Sequence, residues 1–160
     1  MSIQAGEKMP EGRFTVMNAD GPGSISSKDF FGGKKIVLFS VPGAFTPTCS
    51  KDHLPGFIDN VDALKAKGVD TIACLAVNDV FVMDAWSKHA GAEGKVTMLA
   101  DGSGDYSKAL GLELDLVERG LGMRGQRFAL VVEDGTATQV FVESGGEFKV
   151  SSAENILANL

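Results

Sequence analysis

Apolar positions along the chain sort into short runs punctuated by Gly, Pro, Ser and Asp. Near-continuous apolar stretches of strand length stand at Ile36–Ser40 and Asp70–Val77, the pattern of strands buried on both faces. Arg13–Met17 is a weaker strand and Val96–Leu99 a short one. Arg127–Glu133 and Ala137–Val142 form a predicted hairpin around Glu133-Asp134-Gly135-Thr136. Helical spacing predicts a helix from about Pro47 to Ala66, kinked at Pro55 where a backbone donor is missing, and a second over Val80–His89. Tyr106–Leu110 is a predicted helical turn, and a last helix runs to Leu160 from a capping box of Ser151 and Glu154.

This order, a β-α-β unit, another helix, a hairpin and a terminal helix, predicts one α/β domain over residues 1–160. The architecture expected is thioredoxin-like with an N-terminal extension, a central mixed sheet and flanking helices. Length changes nothing in this picture, since 160 residues suffice for a core. Charge excludes some partners: a net charge of −6 without clustered Lys and Arg argues against nucleic acid and anionic membrane. The apolar runs are too short to span a bilayer, and the N-terminal residues carry no secretory pattern. Two cysteines are too few for a disulfide scaffold, so the expectation is a cytoplasmic protein with free thiols.

The chemistry concentrates in Val41-Pro42-Gly43-Ala44-Phe45-Thr46-Pro47-Thr48-Cys49, which leaves a buried strand and enters a helix. Open α/β sheets place their sites at such ends. With Thr46 as N-cap and Pro47 as first helical residue, Cys49 occupies the third helical position. Unpaired N–H groups and the positive end of the helix dipole favour a thiolate there, which a cysteine nucleophile requires. His53 stands four residues on, on the same helical face, where a charged imidazole would favour the thiolate further. A Cys/His pair also begins a cysteine hydrolase, but no orienting third residue is marked, so His53 is read as a supporting polar residue.

The pattern Pro42-x-x-x-Thr46-x-x-Cys49 resembles the active-site signature of the peroxiredoxins. The run from Val41 through Lys51-Asp52-His53-Leu54-Pro55-Gly56-Phe57 is similar to the Prx5, or type II (atypical), subfamily. The resemblance extends to Val77-Asn78-Asp79-Val80-Phe81-Val82 with Trp86 and to Arg127–Gly135, in order along most of the chain. It implies a thiol peroxidase that acts on hydrogen peroxide and small alkyl hydroperoxides without metal or other cofactor. Cys49 matches the cysteine oxidised to a sulfenic acid, Thr46 the threonine that orients the peroxide, and Pro42 the proline that shields the thiolate. Arg127 matches the arginine that stabilises thiolate and leaving oxygen; from the residues alone, Arg124 stands level with it. The implied reductant is external, glutathione with glutaredoxin or thioredoxin, and the implied assembly is a homodimer, with Phe45, Phe81 and Gly120–Arg124 as its expected face.

Cys74 lies in the buried run Thr71–Val77, so an inert core thiol is the favoured reading. The alternative is a resolving cysteine that pairs with Cys49, since some type II plant relatives carry a second cysteine at the corresponding spacing. No cysteine follows Cys74, so the C-terminal resolving route of animal relatives is absent. A redox-sensing binding or chaperone-like module without fast turnover is the alternative function, and a thiol-disulfide oxidoreductase is disfavoured for want of a second active-site cysteine. Gly120-Leu121-Gly122-Met123-Arg124-Gly125 fits G-x-G-x-x-G, but a strand follows it rather than a helix, so a flexible loop is expected. Asp101–Asp105 opens like a calcium loop, but Tyr106 and Leu112 stand where Gly and Glu are needed.

Overall fold

The computed structural model describes residues 1–160. Strands β1 (Arg13–Asn18), β2 (Gly21–Ser26), β3 (Lys35–Ser40), β4 (Thr71–Ala76), β5 (Thr97–Ala100), β8 (Phe128–Glu133) and β9 (Thr136–Val142) form a seven-stranded sheet in the order β2-β1-β5-β4-β3-β8-β9. Strand β4 runs parallel to both β3 and β5, and the other pairs are antiparallel. The sheet is therefore mixed, as the pattern of runs predicted.

Alternation along the central strands divides the core. Val37, Phe39, Ile72, Cys74, Ala129 and Val131 face one side with Trp86 and Ile156, while Ile36, Leu38, Ala73, Leu75 and Leu130 face the other with Phe14, Phe31 and Tyr106. The first layer is built by α2 (Leu54–Asp59), α3 (Val61–Ala66), α4 (Val80–Ala90) and α6 (Ala153–Asn159). The second is built by the short helices α1 (Ser27–Phe31) and α5 (Asp105–Ala109). Because helices cover both faces, β3 and β4 are apolar along nearly their whole length. No helix is long and apolar enough to cross a membrane.

Local chemistry sets the ends of these elements. Asp79 caps α4 by accepting from the Val82 N–H at 2.8 Å, and Gly91 ends it in the left-handed region. Asp134 and Gly135 have φ of 47° and 80°, as the tight β8–β9 turn requires.

Three expectations need correction. The helix predicted over 47–66 is interrupted. Pro47 and Thr48 are helical, Cys49–His53 form a π-helical turn, and α2 and α3 are separated at Asn60. Pro55 cannot donate, and the chain widens the turn just before it, the Leu54 N–H reaching back to the Cys49 carbonyl. The loop expected at Gly120–Gly125 contains a strand, β7 (Gly122–Gly125), paired antiparallel with β6 (Glu113–Leu116). Backbone pairing holds this hairpin, which its glycines conceal in the sequence. The cap of α6 is Ser152, which accepts from the Asn155 N–H, while Ser151 is bound elsewhere.

Candidate active site

The loop leaving β3 delivers Cys49 to the start of its helix with the register predicted from Pro47. Pro47 has no N–H, and the first intrahelical bond runs from the Ser50 N–H to the Thr46 carbonyl at 2.9 Å. The Thr48 and Cys49 N–H groups precede that bond, at the end where a helix leaves its N–H groups without intrahelical partners. Thr46 caps with its carbonyl only; its hydroxyl donates to the Gly43 carbonyl at 2.7 Å. With its one proton so placed, that hydroxyl presents lone pairs and can accept from a ligand O–H. The loop is itself tied down, the Ala44 N–H donating to Asn78 Oδ1 at 2.9 Å. Phe45, at φ 64°, is a non-glycine residue in the left-handed region. Beyond Cys49, the Trp86 indole N–H donates to Ser50 Oγ at 3.0 Å.

Arg127 enters from the start of β8, and its Nη2 donates to Cys49 Sγ at 3.1 Å. A guanidinium at this distance makes a charge-assisted bond to a thiolate. Arg124, level with Arg127 in the sequence, turns to the loop instead: its Nη1 donates to the Pro42 carbonyl at 3.1 Å and its Nε to the Leu121 carbonyl. Gly43 allows this contact, since a Cβ there would lie 2.8 Å from Arg124 Nη1 and 3.1 Å from Thr46 Cγ2. The β-strand that the sequence hid thus carries the residue that braces Pro42.

His53 is brought to the site, as an uncharged polar partner of Arg127 rather than as the charged imidazole that its spacing from Cys49 also allowed. Arg127 Nη1 lies 2.9 Å from His53 Nδ1, and an arginine only donates, so Nδ1 accepts and the ring proton sits on Nε2. Nε2 then donates to the Ser151 carbonyl at 2.9 Å. Burial, and secondarily the Arg127 charge, lower the His53 pKa from 6.5 to about 3, against the opposing pull of the Ser151 carbonyl. His53 is neutral and lends the thiolate no charge. Its ring packs against Phe39, with centroids 4.8 Å apart, and Phe148, at 4.9 Å; the Phe148 ring also lies 5.9 Å from the Arg127 guanidinium carbon.

Cys49 itself is fully buried; Thr46 and Arg127, which bonds its sulfur, line a cavity of about 560 Å³. Pro42, Thr46, Pro47 and Thr48 form one wall, Leu114, Leu116 and Leu121 another, and Arg119, Gln126, Arg127 and Glu143 supply polar groups. No group of three or more His, Cys, Asp or Glu side chains is placed to hold a metal. Cys74, on β4 opposite Phe39, belongs to the same core layer as Cys49 and is fully buried. Burial first, and the nearby Cys49 second, push its thiol well up, so it has little thiolate with which to attack.

Pro42, Thr46, Cys49, His53 and Arg127 therefore converge. The sequence reading missed Phe148 and Glu143, which carried no local signal; it named Arg124 only as an alternative to Arg127 and Ser151 only as a helix cap, and Asn78 stood in a stretch already singled out for its resemblance.

The redoxin family model matches residues 4–157 of the chain. Peroxiredoxin-2B of Arabidopsis thaliana is 51% identical over 159 residues, covering 99% of this chain and 98% of its own. The structure of reduced Prx3 from Vibrio vulnificus in complex with hydrogen peroxide superposes with a TM-score of 0.95 at 48% identity, covering 98% of each chain. Peroxiredoxin 5 from Alvinella pompejana superposes with a TM-score of 0.87 at 35% identity, covering 98% of this chain and 96% of its own.

Proposed function

The chain belongs to the peroxiredoxin family, thioredoxin-fold enzymes that are thiol-dependent peroxidases, and from that premise we propose how its own residues carry the reaction. The Cys49 thiolate attacks the terminal oxygen of a hydroperoxide. The S–O bond forms as the O–O bond breaks, and the leaving oxygen takes a proton to depart as water or an alcohol. Thr46 Oγ1 accepts from the peroxide O–H and fixes its approach. Arg127 donates to the sulfur and then to the oxygen on which charge develops. Pro42, braced by Arg124, closes the wall above the sulfur. The observation that carries this reading is the Arg127 Nη2 to Cys49 Sγ bond of 3.1 Å at the head of a helix.

The cavity of about 560 Å³ exceeds what hydrogen peroxide needs, a water occupying roughly 30 Å³ in the liquid. Its leucine wall supports small alkyl hydroperoxides as substrates as well. An external thiol resolves the sulfenic acid: it displaces the hydroxyl as water to form a mixed disulfide, and a second thiol releases Cys49. Glutathione with glutaredoxin, or thioredoxin, is the proposed reductant class, with Cys74 inert; its burial and raised thiol support this. The redox-sensing alternative is not favoured by relatives named as peroxiredoxins along the full chain.

A homodimer through the exposed Phe45, Phe81 and Met123 is part of the proposal, and single-species monomer in micromolar sedimentation would remove it. So is a cytoplasmic location, supported by two free cysteines.

The deciding experiment is intact mass after one equivalent of hydrogen peroxide with a dimedone trap, on wild type and Cys74→Ser. A trapped sulfenic acid on Cys49 in both supports external resolution. Loss of two hydrogens in wild type, replaced by the adduct in Cys74→Ser, would make Cys74 resolving. An unmodified Cys49 in both would overturn the peroxidase site.

A further inference from the structure

The loop between β9 and α6 has no regular structure, yet it supplies two of the groups that surround His53: the Ser151 carbonyl and the Phe148 ring. A carbonyl on such a loop is useful as an acceptor only if something fixes it. Glu143, the residue after β9, does so. Its Oε2 accepts from the Ser151 N–H at 2.8 Å, the Ser151 hydroxyl at 2.7 Å and the Lys149 N–H at 2.8 Å. Glu143 is buried, which opposes its charge, but the Ser151 and Lys149 donors outweigh this and hold the carboxyl below the usual range. The Glu143 N–H also donates to the Arg127 carbonyl at 3.0 Å, tying the two strands together at the site.

The bonds form one continuous path. Glu143 fixes Ser151; the Ser151 carbonyl takes the His53 Nε2 proton; Nδ1 is thereby left as an acceptor for Arg127 Nη1; and Arg127 Nη2 reaches Cys49 Sγ. A guanidinium is planar, so fixing one of its terminal nitrogens aims the other. The choice of a neutral acceptor matters. A carboxylate in the place of His53 would hold Arg127 equally well but would cancel the charge that the sulfur needs. The acidic group is instead committed to Ser151 and Lys149 and forms no ion pair with the guanidinium, although both line the same cavity.

We propose that Glu143 is a positioning residue of the peroxidase site, acting on Cys49 through Ser151, His53 and Arg127. This rests on the assignment of Arg127 to the thiolate made above.

The test compares the full-length Glu143→Ala, His53→Leu and double variants, with Arg127→Gln as control. Two quantities are followed: the rate of Cys49 oxidation by hydrogen peroxide, and the pH profile of its alkylation by iodoacetamide. Displacement of Arg127 by even a fraction of an ångström makes Glu143→Ala slower by roughly 10-fold or more and moves its alkylation profile to higher pH. Because both changes act on the same guanidinium, Glu143→Ala adds little once His53→Leu is in place. Losses that multiply in the double variant, or a Glu143→Ala profile identical to wild type, would overturn the proposal. Ser151→Ala removes one of the three bonds to Glu143 and decides the matter by the same readouts should Glu143→Ala not fold. An Arg127→Gln variant that reacts like wild type would instead overturn the underlying assignment of Arg127; a slow Arg127→Gln beside a normal Glu143→Ala removes only the relay.

Discussion

Arg127 serves two acceptors with one rigid group, a sulfur and an imidazole nitrogen, and lysine cannot copy that geometry. Arg127→Lys keeps the charge but loses the fork, and is expected to react with hydrogen peroxide about 100-fold more slowly, the scale for removing one preorganised donor. Rapid-mixing fluorescence reads this directly, because Trp86 is bonded to Ser50 beside the nucleophile. A lysine variant within a factor of a few of wild type would mean that charge alone suffices. Thr46 makes the complementary case. Its hydroxyl proton is committed to Gly43, so its contribution is an acceptor at a fixed position. Thr46→Val is nearly isosteric and removes that acceptor, with an expected loss of roughly 100-fold in the peroxide rate constant, whereas Thr46→Ser stays within a few-fold. Equal rates for valine and serine would assign the threonine to loop packing.

Elements were legible where burial on both sides imposes a continuous apolar run. Strands β3, β4 and β8 were visible for that reason, and their loops placed Cys49 and Arg127 without any contact being known. Elements held by backbone partners were not legible. Strand β2, Gly-Pro-Gly-Ser-Ile-Ser, and the β6–β7 hairpin have little side-chain pattern of their own, and β7 supplies Arg124. Nor was the charge state of His53, which is decided by burial and by Arg127, 74 residues away. The α6 cap shows how a slip of one residue confuses two roles. The capping-box reading chose Ser151, yet Ser152 caps the helix and Ser151 faces Glu143 and His53. Ser152→Ala is therefore expected to cost about 1 kcal/mol in urea denaturation and leave peroxide turnover unchanged. A Ser152→Ala enzyme that is stable but slow would contradict this division of labour.

At the scale of the whole molecule, the buried neutral histidine couples folding to pH. In the unfolded chain His53 takes a proton near its ordinary value of 6.5, while in the folded chain it does so only at about 3. The lowered folded value means that the unfolded chain binds more protons between these limits, so acid favours unfolding. The contribution is fully present above 6.5 and declines by about 1.4 kcal/mol per pH unit as pH falls toward about 3. Glu143 acts in the same direction further down, since a carboxyl held below its usual range loses its stabilising bonds when it is finally protonated. Between pH 7 and pH 5, where the carboxylates are still largely ionised, the histidine term accounts for about 2 kcal/mol of lost unfolding free energy. His53→Gln removes the titrating group and keeps an amide able to meet Arg127 or Ser151. Its stability at pH 7 is expected to be lower than wild type, and its curve across this window flatter by that same amount. Urea unfolding of both proteins at half-unit pH steps separates the outcomes. Parallel curves would place the acid sensitivity elsewhere and require His53 to be charged in the folded enzyme, contrary to the bond it accepts from Arg127.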